Sequence, residues 1–124
     1  MICQYCGKHA KAVTGAVIYP HRRDLASLKF YQCSPCDAFV GCHKLSGRPL
    51  GTLANSELRE WRKRAHAAFD PLWRDHVFSS RANAYAWIAE KMKLTKKDTH
   101  IAMFDAAKCE ELIKQVSDYK QGNI

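Results

Sequence analysis

Apolar side chains return at helical spacing from residue 54 to residue 69, where Ala54, Leu58, Trp61, Ala65 and Phe69 form one stripe along a segment that Pro71 closes. This pattern predicts a helix over 55–69, with Asn55 or Ser56 able to cap it and Glu57 placed at the positive end of its dipole. A second helix is expected to start at Ser79 or Ser80, with Tyr85, Ile88, Ala89 and Met92 on one face and lysines near its end. Thr95 and Asp98 have capping-box spacing and suggest a short turn. Asp105 can then cap a last helix with Cys109, Leu112, Ile113 and Val116 on its inner face, stapled by Phe104 and Cys109. The terminal "YKQGNI" reads as a frayed end.

The first fifty residues follow a different rhythm. "AVIYP" and "KFYQC" have the β-branched and aromatic character of short strands, so hairpins are expected there. "HRRDLASL" between them fits either a turn or a single helical turn. The glycines and proline of "GCHKLSGRPLG" mark residues 41–51 as loop, with "RPLG" as a turn. The pattern implies an α+β fold: an N-terminal ribbon of short β-hairpins over 1–51 packed against about three α-helices over 52–124, the whole of 1–124 being one domain.

Composition changes this picture at the cysteines. Six of them occur in a chain with no apolar run near the roughly 18 residues a membrane span needs, and "MICQYCGKHA" lacks the layout of an export signal. A cytoplasmic location is therefore expected, where thiols stay reduced and serve metals more often than disulfides. "CQYC" at 3–6 and "CSPC" at 33–36 are two knuckles separated by twenty-six residues. Each knuckle can present two thiolates from a tight turn, and together they complete the tetrahedron of one structural zinc ion (Zn2+), held by Cys3, Cys6, Cys33 and Cys36. Gly7 suits the sharp exit from the first knuckle.

Cys42 and His43 are then surplus. Cys42 can be a small buried residue and His43 a polar loop residue, His43 can bind phosphate or act in catalysis, or either can substitute as a ligand at the zinc.

Charge adds a candidate partner. The formal charge of +8 falls by two, to +6, when a divalent cation is held by four thiolates, so the protein stays basic. Residues 1–53 hold seven basic and two acidic side chains, residues 54–78 five and four, and residues 79–124 eight and six, so the excess is N-terminal. Arg59, Arg62, Lys63 and His66 make a further stripe on the 55–69 helix, opposite its apolar one. With Arg22, Arg23, Lys44 and Arg48 they could form a positive surface for nucleic acid, DNA or RNA, on which Tyr5, Tyr19, Phe30 and Tyr31 could stack exposed bases. The same features fit an ordinary solvated face with packed aromatics, and Glu60 with Arg64 is an ordinary helical pair. A nuclease-like alternative uses His43, His66 and Asp70, since His66 and Asp70 share a helix face as base and orienting carboxylate would. No nucleophile or second-metal motif completes that set, and His100 is expected to be structural.

The strings "CxYCG", "GAVIYP", "FYQCSPCDAFVGCH", "PLGTLA", "LREWRKRAHAAFDPLW", "AYAWIAEKM" and "THIAMFDAAKC" together resemble an uncharacterised family of small zinc-finger-containing proteins of bacteriophages and bacteria. The resemblance spans nearly the whole chain and implies a zinc finger on Cys3, Cys6, Cys33 and Cys36. It also implies a phage or prophage accessory factor, for which a host protein is a rival partner to nucleic acid.

Overall fold

The computed structural model describes residues 1–122, which form two compact units divided between Ser56 and Glu57. In the first unit, strands β1 (Lys11–Thr14), β2 (Lys29–Cys33) and β3 (Ala38–Gly41) make an antiparallel sheet in the order β1-β2-β3. β2 is the central strand. Tyr31 faces Ala12 on one side and Val40 on the other, and Cys33 faces Ala38. "KFYQC" is thus a strand as expected, and "AFVG" is a further strand beside it.

"AVIYP" is not a strand. The sheet pairing ends at Thr14 with Lys29, so the chain beyond it has no partner strand, and it coils into the helical turn α1 (Gly15–Ile18). Strand propensity depends on having a neighbour to pair with, and here that neighbour has run out. Gly15 is required at this corner: a Cβ on it would stand 1.8 Å from the carbonyl oxygen of Leu25. Val17 is left exposed, while Tyr19 turns its ring edge-on to Phe30 and Phe39, each 5.9 Å away. "HRRDLASL" contains a 3-10 turn at Arg23–Leu25.

The loop after β3 is more ordered than its glycines suggest. Cys42 and Pro49 form a bridge, His43 N–H donates to the Arg48 carbonyl at 2.8 Å, and Gly47, at φ +71°, closes the tip by donating to the His43 carbonyl at 2.9 Å. The turn therefore falls at 44–47, not at "RPLG". Residues 52–55 belong to the sheet unit: Phe39 and Ala54 exchange both backbone hydrogen bonds, and Leu53 is buried beside the zinc cysteines. Ala54 thus leaves the helical stripe on which its spacing had placed it.

The second unit is helical. α2 (Ser56–Phe69), the short α3 (Pro71–Arg74), α4 (Arg81–Met92) and α5 (Ala106–Gly122) surround a core of Ala65, Phe69, Leu72, Ile88, Phe104 and Leu112, among others. Two of the expected caps are present, those of α4 and α5. Ser80 Oγ accepts from Asn83 N–H at 3.1 Å at the start of α4, and Asp105 Oδ1 accepts from Lys108 N–H at 2.9 Å at the start of α5. Phe104 and Cys109 are both fully buried, as a staple requires. Thr95 and Asp98 bond each other reciprocally around their turn.

The end of α5 differs from expectation. Tyr119 packs its ring 4.9 Å from Trp87 and 5.7 Å from Phe78, so α5 continues through "YKQG" to Gly122. Residues 123 and 124 of that tail lie outside the described residues. No helix among the described residues is long and apolar enough to cross a membrane.

Candidate metal centre and basic surface

The two knuckles close by different turns and share one kind of exit. In the first, Gly7 N–H donates to the Cys3 carbonyl at 2.8 Å and Cys3 N–H to the Lys8 carbonyl at 2.8 Å, while Ile2 and His9 pair across its base. In the second, Asp37 N–H donates to the Ser34 carbonyl at 3.0 Å. Each turn leaves through a left-handed residue directly after its second cysteine, Gly7 at φ +77° and Asp37 at φ +49°. Glycine enters that region without steric cost, and aspartate is among the few other residues that tolerate it. The intervening residues of "CQYC" also work: Gln4 donates to the Leu53 carbonyl, and Tyr5 Oη accepts from Asn55 N–H at 3.2 Å. These bonds hold the 53–55 segment beside the first knuckle.

The sulfur atoms of Cys3, Cys6, Cys33 and Cys36 all lie within 4.8 Å of one another, and Cys6 Sγ is 3.6 Å from Cys33 Sγ. A disulfide would need about 2.05 Å. Zinc–sulfur bonds of 2.3 Å in a tetrahedron put the sulfurs about 3.8 Å apart, so the spacing is that of ligands around one ion. Cys3 and Cys33 are buried, Cys36 is half-buried and Cys6 is exposed.

The metal-free thiols hold their protons unequally. Burial raises the Cys3 thiol, but backbone hydrogen bonds from Tyr5 and Cys6 and contacts with the Cys33 and Cys6 thiols outweigh it, bringing it to about 7. Cys36 is pushed up to about 12 by burial and by the thiols of Cys6, Cys33 and Cys3, and burial also raises Cys33. A cation in their midst replaces those protons with a shared positive charge, which is the chemistry this donor set fits. Four thiolates leave the ion no position for water, so its role is structural.

Cys42 and His43 stand outside this cluster. Cys42 is half-buried at its bridge to Pro49, its thiol raised by burial and partly offset by Lys29. His43 is exposed. Cys109 sits in the helical core, where burial pushes its thiol up to about 11 and makes it inert packing.

A chain whose N-terminal sheet holds two cysteine knuckles around one zinc ion, followed by helices, is a small α+β protein of the four-cysteine zinc-finger class. It belongs to the DUF3268 family, described as a zinc-finger-containing domain, whose model matches residues 1–119. No curated protein and no solved structure matches the chain.

The basic residues fall into two sets, one in each unit. In the zinc unit, Lys8, Lys11, Arg22, Arg23, Lys29, Lys44 and Arg48 are all exposed. Arg22 forks onto Asp24, with Nε and Nη2 at 2.9 and 2.7 Å from its two oxygens, so that pair contributes little net charge. Lys29, which sequence reading had not singled out, lies over the Tyr31 ring at 5.3 Å.

On α2 the stripe divides. Lys63 is exposed, but Arg59 and Arg62 are half-buried, and Arg62 Nε donates to the Phe104 carbonyl at 3.0 Å. Arg62 thereby ties α2 to the turn before α5. His66 Nδ1 lies 3.4 Å from Asp70 Oδ1, as their spacing implied, yet Asp70 also accepts from Trp73 Nε1 at 3.3 Å and stands 3.7 Å from Arg74. A carboxylate with three partners holds the α2–α3 corner together. Glu60 and Arg64 make a loose exposed pair at 3.8 Å.

Most of the aromatics offered for base stacking are engaged in packing. Phe30 is buried, Tyr19 edges onto Phe30 and Phe39, Tyr31 packs on the zinc-side core, and Tyr5 takes a backbone bond. His100 is exposed, with its ring 5.8 Å from that of Tyr85.

Proposed function

We propose that this protein is a non-enzymatic nucleic-acid-binding factor, working in the cytoplasm as a phage or prophage accessory protein, with the zinc unit as its binding surface. One observation carries the reading. All seven basic side chains of that unit are exposed, against two acidic ones, of which Asp24 is spent on Arg22. The excess exceeds what the thiolate-bound zinc removes, and an exposed excess of this kind attracts polyanions by releasing their counterions. Arg23, Lys44 and Arg48 are the main contacts, Arg22 a weaker one because of Asp24. On α2, Lys63 and Arg59 supplement them, and Arg62 has a mainly structural part. A cytoplasmic setting is supported by the reduced four-thiol site. The phage or prophage origin rests on the resemblance of the sequence motifs.

The test is a salt titration of zinc-loaded protein against labelled single- and double-stranded DNA and RNA. Affinity should fall steeply with salt, and reversing charge at Lys44 and Arg48 should weaken binding and reduce the salt slope by about two, one for each lost phosphate contact. Absence of binding even at low salt would overturn the reading and turn the search to a host protein, found by a pull-down that survives nuclease and high salt.

A further inference from the structure

The loop between β3 and residue 50 carries an apolar side chain where none is needed for packing. Leu45 is fully exposed, at 103% of its reference area. It sits at the tip of a loop held by the Cys42–Pro49 bridge and by the two bonds between 43 and 47–48, with Arg48 N–H also donating to Ser46 Oγ at 3.2 Å. Folding gains nothing from a leucine there, and the closed loop holds it outward.

The charged side chains of its loop are all basic. His43, Lys44 and Arg48 flank it in the loop, and Lys29 Nζ lies beside the tip, 3.3 Å from where a Cβ on Gly47 would stand. No acidic residue occurs between Asp37 and Glu57. The occupant must therefore be polyanionic on its outside and offer a narrow apolar gap. A protein pocket is a poor match, because leucine is under-represented among the anchors of protein interfaces. A single-stranded chain is better met by a flat aromatic ring, on which its open bases stack. Stacked base pairs between two phosphate strands fit both requirements, and aliphatic wedges enter such steps from the minor groove.

We propose that Leu45 is a wedge that inserts between base pairs of duplex DNA, with Lys44 and Arg48 holding the phosphates on either side. This rests on the nucleic-acid reading above and adds to it the form of nucleic acid and the way it is engaged. Insertion removes the leucine side chain from water and partly unstacks one step, so the bound duplex should be bent.

The experiment uses the full zinc-loaded chain and a short duplex DNA carrying a fluorophore pair at its ends and 2-aminopurine at internal steps. Wild type should bend the duplex and brighten 2-aminopurine. Leu45→Ala, checked for zinc content and helicity, should abolish both signals and weaken affinity about tenfold with the salt slope unchanged, because no phosphate contact is lost. Lys44→Ala with Arg48→Ala should instead lower the salt slope. Duplex binding without bending or brightening, binding to single strands alone, or a Leu45→Ala protein that bends DNA like wild type would each overturn the wedge and leave nucleic-acid binding standing. If wild type binds no nucleic acid at all, both readings fall.

Discussion

The two units of this chain solve the same problem by different means. The helical unit buries Phe69, Phe104, Leu72, Ile88, Ile101, Leu112 and Val116 almost completely, which is the apolar core that helices of this length need. The zinc unit buries Cys3, Ala10, Cys33, Ala38, Val40 and Leu53 in its cluster, two of them metal ligands, and Phe30 and Ala54 elsewhere in the unit. A three-stranded sheet with so few apolar contacts is below the size at which burial alone sustains a fold, so the ion substitutes for the missing core. Stability in one unit is thus spread over many side chains, and in the other it is concentrated at four sulfurs.

The sharpest break of that comparison is removal of the metal. A strong chelator, or Cys3→Ser or Cys36→Ser, should cost the zinc unit on the order of 10 kcal/mol and unfold it. The helical core is drawn entirely from residues 65–116, so most of the helical circular dichroism should remain. Retention of native amide chemical shifts in residues 1–56 without zinc would show that the ion is dispensable. Wholesale loss of helix on chelation would show that the two forms of stability are not separable.

The converse break is a cavity in the helical unit. Phe69 is fully buried, with its ring 4.6 Å from that of Tyr85, and Phe69→Ala should cost about 4 kcal/mol. Thermal or denaturant unfolding followed by helix signal would register the loss, while zinc stoichiometry should stay at one ion per chain. A drop in bound zinc would contradict the division drawn here.

What could be read in advance follows the same divide. The four ligands were legible because two knuckles specify their own geometry locally: each ligand pair is fixed by a four-residue turn, and only the meeting of the pairs depends on the rest of the chain. The helices were legible because an apolar stripe and a cap such as Asp105 are also local signals. The misreadings came where a partner elsewhere decides the outcome. "AVIYP" has strand character, but strand pairing stops at Thr14, and "AFVG" shows itself as a strand only once Tyr31 and Phe30 align it. Tyr119 looks frayed until Trp87 and Phe78 receive it. Arg62 is the instructive case for the candidate site. Its spacing puts it on a basic stripe, and nothing local reveals the carbonyl of Phe104, forty-two residues away, that it serves.

That arginine supplies the smallest of the expected effects and the most discriminating. A half-buried guanidinium hydrogen bond to a backbone carbonyl is worth about 1–2 kcal/mol, so Arg62→Ala should lower the stability of the helical unit by that amount and leave zinc content unchanged. Lys63→Ala, one residue on and exposed, should change stability by less than about 0.5 kcal/mol. In nucleic-acid titrations the order should reverse, with Lys63→Ala reducing the salt slope and Arg62→Ala barely altering it. If Arg62→Ala instead flattens the salt dependence while its denaturation midpoint stays native, the bond to Phe104 is incidental and the α2 stripe is a contact surface along its whole length. The same pair of variants therefore separates what α2 contributes to holding its own unit together from what it presents outward.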